Sequence, residues 1–64
     1  MKIKYDKETD ILYIQLSNIE IQESDEDKKG VILDYSSDGK LVGIEVLNAS
    51  KSAIQTSKFE YEYA

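Results

Sequence analysis

Residues 31–47 read VILDYSSDGKLVGIEVL, and this stretch decides the fold class. Within it, Ser36-Ser37-Asp38-Gly39 is a turn signal: Ser and Asp side chains bond back to the local backbone, and Gly39 accepts the positive φ that other residues resist. On both sides of that turn apolar residues recur at every second position, the period of a strand. Val31 to Tyr35 therefore reads as one strand and Lys40 to Leu47 as its antiparallel return. Val42, Ile44 and Val46 fall on one face of the return strand, and Leu41, Gly43, Glu45 and Leu47 on the other. Gly43 has no side chain to pack, so it marks a bulge or a close approach by another group, for which a covering helix is the expected neighbour.

Upstream, Lys2 to Tyr5 alternates Lys with Ile3 and Tyr5, as a solvated edge strand does. The polar loop Asp6 to Asp10 joins it to a second strand, Ile11 to Leu16. That strand is apolar on both faces, which predicts a central position covered on both sides. Ile19 to Glu23 alternates strictly and reads as a half-exposed third strand, followed by a charged loop from Ser24 to Lys29. Downstream, Asn48 is a fair N-cap and Ser52 with Gln55 fits a capping box. A short helix beginning between Asn48 and Ser52 follows, with Ala49, Ala53 and Ile54 as its small apolar face. Lys58 to Tyr63 alternates again, as an extra edge strand or a frayed end. The expected fold is mainly β (α+β): one domain over residues 1–64, an antiparallel meander of about five short strands, a short C-terminal helix and a possible extra C-terminal strand.

Composition narrows the function classes. Sixty-four residues leave a thin margin between buried apolar surface and conformational entropy, and the usual staples are missing because there is no Cys or His. Self-association is the remaining common staple, so a homodimer is expected. Thirteen carboxylates against eight lysines give a net charge of −5, which opposes unaided binding to nucleic acid. No run approaches the roughly 18–20 apolar residues of a membrane span, and a cytoplasmic location is the expectation. Asn48-Ala49-Ser50 matches the N-glycosylation tripeptide, which has no meaning without a secretory signal.

Few residues carry chemistry. Asp6, Glu8 and Asp10 have the spacing of the first ligands in a calcium loop, but Ile11 stands where that loop needs Gly and Ser17 where it needs Glu. The alternative is a hairpin loop braced by its Asp side chains, and no metal is expected. Asp34 and Glu45 are carboxylates set in apolar strand sequence; they are either tuned by burial or placed at exposed positions of alternating strands. Ser50, Lys51 and Ser52 hold the atoms of a serine and lysine pair, without any indication of geometry. Tyr13 and Tyr35 are expected to pack in the sheet with hydroxyls at its margin. No catalytic residue and no cofactor site follow from these patterns. The interface candidates are the acidic run Glu23, Asp25, Glu26 and Asp27, which suits a basic partner, and the aromatic stripe Phe59, Tyr61 and Tyr63.

The ordered set Tyr5-Asp6, Asp10 to Leu16, Gly30 to Tyr35, Asp38-Gly39 and Leu41 to Ser50 resembles the small bacterial domain-of-unknown-function family numbered 2283. The resemblance spans residues 1–52, and the tail 53–64 departs from the family pattern. It implies a stand-alone bacterial protein with a β-rich fold, and it supplies no enzyme activity, cofactor or catalytic residue to carry over. Proximity of some members to small toxin-like genes extends the expectation to an antitoxin-like partner of a small basic protein. The leading expectation is thus a non-enzymatic protein-interaction module. The alternative is a small-ligand binder or enzyme with a carboxylate-lined site, formed by Asp34, Glu45 or tyrosines, at a dimer seam.

Overall fold

A computed structural model describes residues 1–64. Five strands, β1 (Lys2–Asp6), β2 (Ile11–Gln15), β3 (Glu23–Lys28), β4 (Val31–Tyr35) and β5 (Leu41–Val46), form one antiparallel sheet in the order β1-β2-β5-β4-β3. The fold is mainly β, as the alternation predicts. Its connectivity is not a plain meander: β3, β4 and β5 are consecutive neighbours, but β5 then pairs with β2 of the N-terminal hairpin. No helix is long and apolar enough to cross a membrane.

The turn at Ser36 to Gly39 forms as its residues dictate. Ser36 N–H donates to the Lys40 carbonyl at 2.9 Å, Gly39 N–H donates to the Ser36 carbonyl at 3.0 Å, and Gly39 has φ +82°. Past the turn, Tyr35 faces Leu41 while Asp34 faces Gly43, so Val42 is the extra residue of a bulge. Its side chain is 1 % exposed, and its carbonyl accepts the N–H groups of Leu16 at 2.7 Å and Ser17 at 3.3 Å.

Two expectations are corrected here. Residues 19–22 are not a strand, and the charged stretch is not a loop: β3 runs over Glu23–Lys28. The chain leaves β2 and must pass both β5 and β4 to reach the far edge, about three strand spacings or ~14 Å away. Ile19 to Gln22 span that gap, anchored where Gln22 N–H donates to the Tyr35 carbonyl at 2.8 Å. The ladder then forms in the next residues, whose charges an edge strand tolerates because neither face need be buried.

At the C-terminus a single 3₁₀ turn, Ala49–Lys51, replaces the expected helix. Asn48 makes no side-chain cap and sits in the left-handed region at φ 52°. Ser52 closes the turn instead, donating its hydroxyl to the Ala49 carbonyl at 2.7 Å while its oxygen accepts Ile54 N–H at 3.2 Å. That local turn competes with helix propagation. Residues 58–63 form no strand; Phe59, Tyr61 and Tyr63 are 48 %, 84 % and 83 % exposed.

Register sorts the side chains into rows across the sheet. One face carries Ile3, Ile14, Ile44 and Leu33 in one row and Tyr5, Leu12, Val46 and Val31 in the next. The opposite face carries Gln15, Gly43, Asp34 and Ser24, beside Lys4, Tyr13, Glu45, Ile32 and Glu26. Only Leu12, Val42 and Ala49 are buried apolar residues, so the core of the domain is small. β2 is an interior strand of the sheet, as expected, but its residues other than Leu12 are only half-buried.

Candidate functional site

The polar face is built around a glycine. Tyr13 on β2 leans across β5 over Gly43: a Cβ there would sit 2.6 Å from the Tyr13 hydroxyl and 3.0 Å from two ring carbons. The close approach that Gly43 signals is thus made by a tyrosine of the same sheet, not by a helix. The Tyr13 hydroxyl lies over the sheet centre rather than at its margin, a second departure from expectation.

Beyond Gly43 lies Asp34, only 1 % exposed. The expectation that Asp34 occupies an exposed alternating position is therefore overturned. Its Oδ1 accepts the Ser24 hydroxyl at 2.6 Å from β3, and its Oδ2 has no donor within the chain. Glu45 lies diagonally opposite on β5, half-buried and on the same face of the sheet as Asp34. Burial first and the neighbouring charge of Asp34 second hold the Glu45 carboxyl above the usual glutamate range. Burial first and the two carboxylates second push the Tyr13 hydroxyl up as well, keeping it neutral at physiological pH. Tyr13, Asp34 and Glu45 thus converge, and Ser24 joins them although nothing in its local sequence marks it.

The other singled-out carboxylates separate. Asp6 braces its own loop, its Oδ1 accepting Glu8 N–H at 3.0 Å and Thr9 N–H at 3.4 Å. Asp10, in the left-handed region at φ 56° that Asp tolerates, ties the two ends of the chain together. Its carboxylate accepts the Tyr5 hydroxyl at 2.6 Å, the Ser50 N–H at 2.9 Å and the Ser50 hydroxyl at 2.7 Å. The hydrogen bond from Tyr5, then those from Ser50, hold the Asp10 carboxyl below its usual range. Ser50 is therefore engaged in this clamp rather than paired with Lys51. A shallow hollow beside the clamp is lined by Lys4, Asp6, Thr9, Ile11 and Tyr13 and does not reach Asp34 or Glu45.

Of the interface candidates, Glu23, Asp25, Glu26 and Asp27 lie on the exposed edge strand β3, where Glu26 also accepts Gly30 N–H at 2.9 Å. Phe59, Tyr61 and Tyr63 lie on the extended tail, away from strand pairing.

These features define a one-sheet antiparallel β domain, polar with a buried acid on one face and apolar on the other. Residues 2–50 match the family model described as a protein of unknown function (DUF2283), and the chain belongs to that family. The match runs from the first residue of β1 to Ser50, the residue that closes on Asp10. Searches of curated proteins and of solved structures gave no match.

Proposed function

We propose that this chain is a non-enzymatic, cytoplasmic protein-interaction module that pairs with a second copy of itself through its apolar sheet face. The observation that carries this reading is the row Ile3, Ile14, Ile44 and Leu33, of which Ile3 is exposed and the others only half-buried, on a sheet without a second layer of strands or helix. The chain exposes 5229 Å², whereas a compact monomer of 7.3 kDa exposes about 4,200 Å². The extended tail accounts for part of the excess of about 1,000 Å². The scale is nonetheless that of one partner's share of a standard interface, about 800 Å². Stacking two such faces supplies the second layer that a sheet needs to bury its apolar side.

The acidic edge strand and the exposed tail aromatics remain free for another protein in this arrangement. A small basic partner is the finer form of the proposal, antitoxin-like in character, since an acidic edge attracts a cationic surface. The alternative reading, a small-ligand or catalytic site, draws on the convergence of Tyr13, Asp34 and Glu45. The interaction reading is preferred because Asp34 is sealed and the neighbouring hollow meets only Tyr13 of the three, reaching neither Asp34 nor Glu45.

Ile3, on the interface row, is 42 % exposed, so lysine there is tolerated by the single chain. By analytical ultracentrifugation the Ile3→Lys variant is expected to self-associate at least about tenfold more weakly, roughly 1.4 kcal/mol. Unchanged association with an intact circular dichroism spectrum would place the interface elsewhere.

A further inference from the structure

The acid at the centre of the polar face poses a hydrogen-bonding problem that the chain solves without a cation. An ionised carboxylate only accepts, and a buried acceptor without a donor is unfavourable. Asp34 is 1 % exposed, Ser24 satisfies Oδ1 from the β3 side, and Oδ2 is left without a partner on the side of β5. We propose that Asp34 and Glu45 hold one proton between them, carried by the Glu45 carboxyl and donated to Asp34 Oδ2, and that its release as pH rises loosens the sheet beneath Tyr13.

Every element around the pair is consistent with this assignment. From β2 the facing group is Tyr13, with Lys4 of β1 beyond it in the same row; from β3 they are Ser24 and, past Ile32, Glu26. The ion pairs of the chain are Lys40 with Asp38 and Lys58 with Glu60, so no lysine neutralises Asp34 or Glu45. Two neighbouring carboxylates without a cation between them favour holding one proton. The upward displacement of Glu45, caused by its burial and by Asp34, has the sign that sharing requires. Tyr13 is the lid: its ring over Gly43 shields the pair from the water that would otherwise supply the missing donor.

The sign of the pH effect follows from linkage. The folded state binds this proton more tightly than the unfolded chain does, so its contribution is fully present below the ordinary glutamate range. It is lost as pH rises through the raised value of Glu45. This pH response is separate from self-association, and it is read on stability and titration rather than on mass.

The test is thermal unfolding from pH 5 to pH 9 of the wild type, of Glu45→Gln and of Glu62→Gln. Gln at position 45 offers a permanent N–H donor in place of the proton, whereas Glu62→Gln removes the same charge from the exposed tail. At pH 5 the midpoints of all three are expected to agree. By pH 8 Glu45→Gln is expected to exceed both others by about 5 °C, a readable shift for a domain of this size. Parallel profiles for Glu45→Gln and the wild type would overturn the proposal. Carbon-detected NMR of the wild-type side chains provides a reading free of any substitution. The Glu45 carboxyl is expected to titrate above the ordinary glutamate range, and a midpoint within that range would equally overturn the proposal.

Discussion

Gly43 and Asp10 illustrate how single residues set local geometry. A methyl group at position 43 meets the Tyr13 ring and hydroxyl at 2.6–3.0 Å, so Gly43→Ala must push the ring aside and open Asp34 to water. We expect that variant to lose about 1–3 kcal/mol in urea unfolding, overpacking outweighing the entropy gained by removing a glycine. Asp10 responds to pH with the opposite sign to Glu45. Its carboxyl is held low by Tyr5 and Ser50, so the clamp is intact above the ordinary Asp range and is lost as pH falls through the depressed value. The Ser50 amide is therefore expected to lose hydrogen-exchange protection in acid, and to be less protected in Asp10→Asn at neutral pH. Period-two alternation reveals which face Asp34 and Glu45 occupy. It does not reveal that Asp34 is buried, because that depends on Tyr13 reaching across an intervening strand at one particular register. Gly43 was the one legible signal of that approach, and it leaves the identity of the approaching group open.

At the scale of elements, the hairpin around Ser36 to Gly39 and the strands β1, β2, β4 and β5 were legible because turn chemistry and alternation agree there. The stretch 19–28 was not. Ile19 and Ile21 alternate with polar residues as a strand would, yet they cross the end of the sheet and are 48 % and 43 % exposed. β3 carries ESDEDK, which in composition cannot be told from a loop, since an edge strand with two exposed faces needs no apolar residue. The C-terminal signals misled in a different way: Ser52 bonds back into the preceding turn and ends it rather than starting a helix. The tail beyond the clamp adds little to stability, its Lys58 to Glu60 ion pair being open to solvent. A chain ended at Thr56 is expected to melt within about 3 °C of the full-length protein. A larger drop in calorimetry would mean that Phe59, Tyr61 or Tyr63 covers part of the sheet.

As a whole the molecule is a thin sheet, 33 × 31 × 19 Å, with a polar face that closes on itself and an apolar face that does not. The polar face gathers Tyr13, Ser24 and Glu45 around one buried acid, while the opposite face leaves Ile3, Ile14, Ile44 and Leu33 half-covered or exposed. The sequence made the second property legible as a two-sided apolar strand in so short a chain, and the replacement of a helix by one 3₁₀ turn sharpens it. A second copy over that face is the central claim. Size-exclusion chromatography with light scattering at micromolar concentration and neutral pH tests it most directly. The account predicts a species of twice the 7.3 kDa chain mass; a folded species at 7.3 kDa that persists on concentration would contradict it.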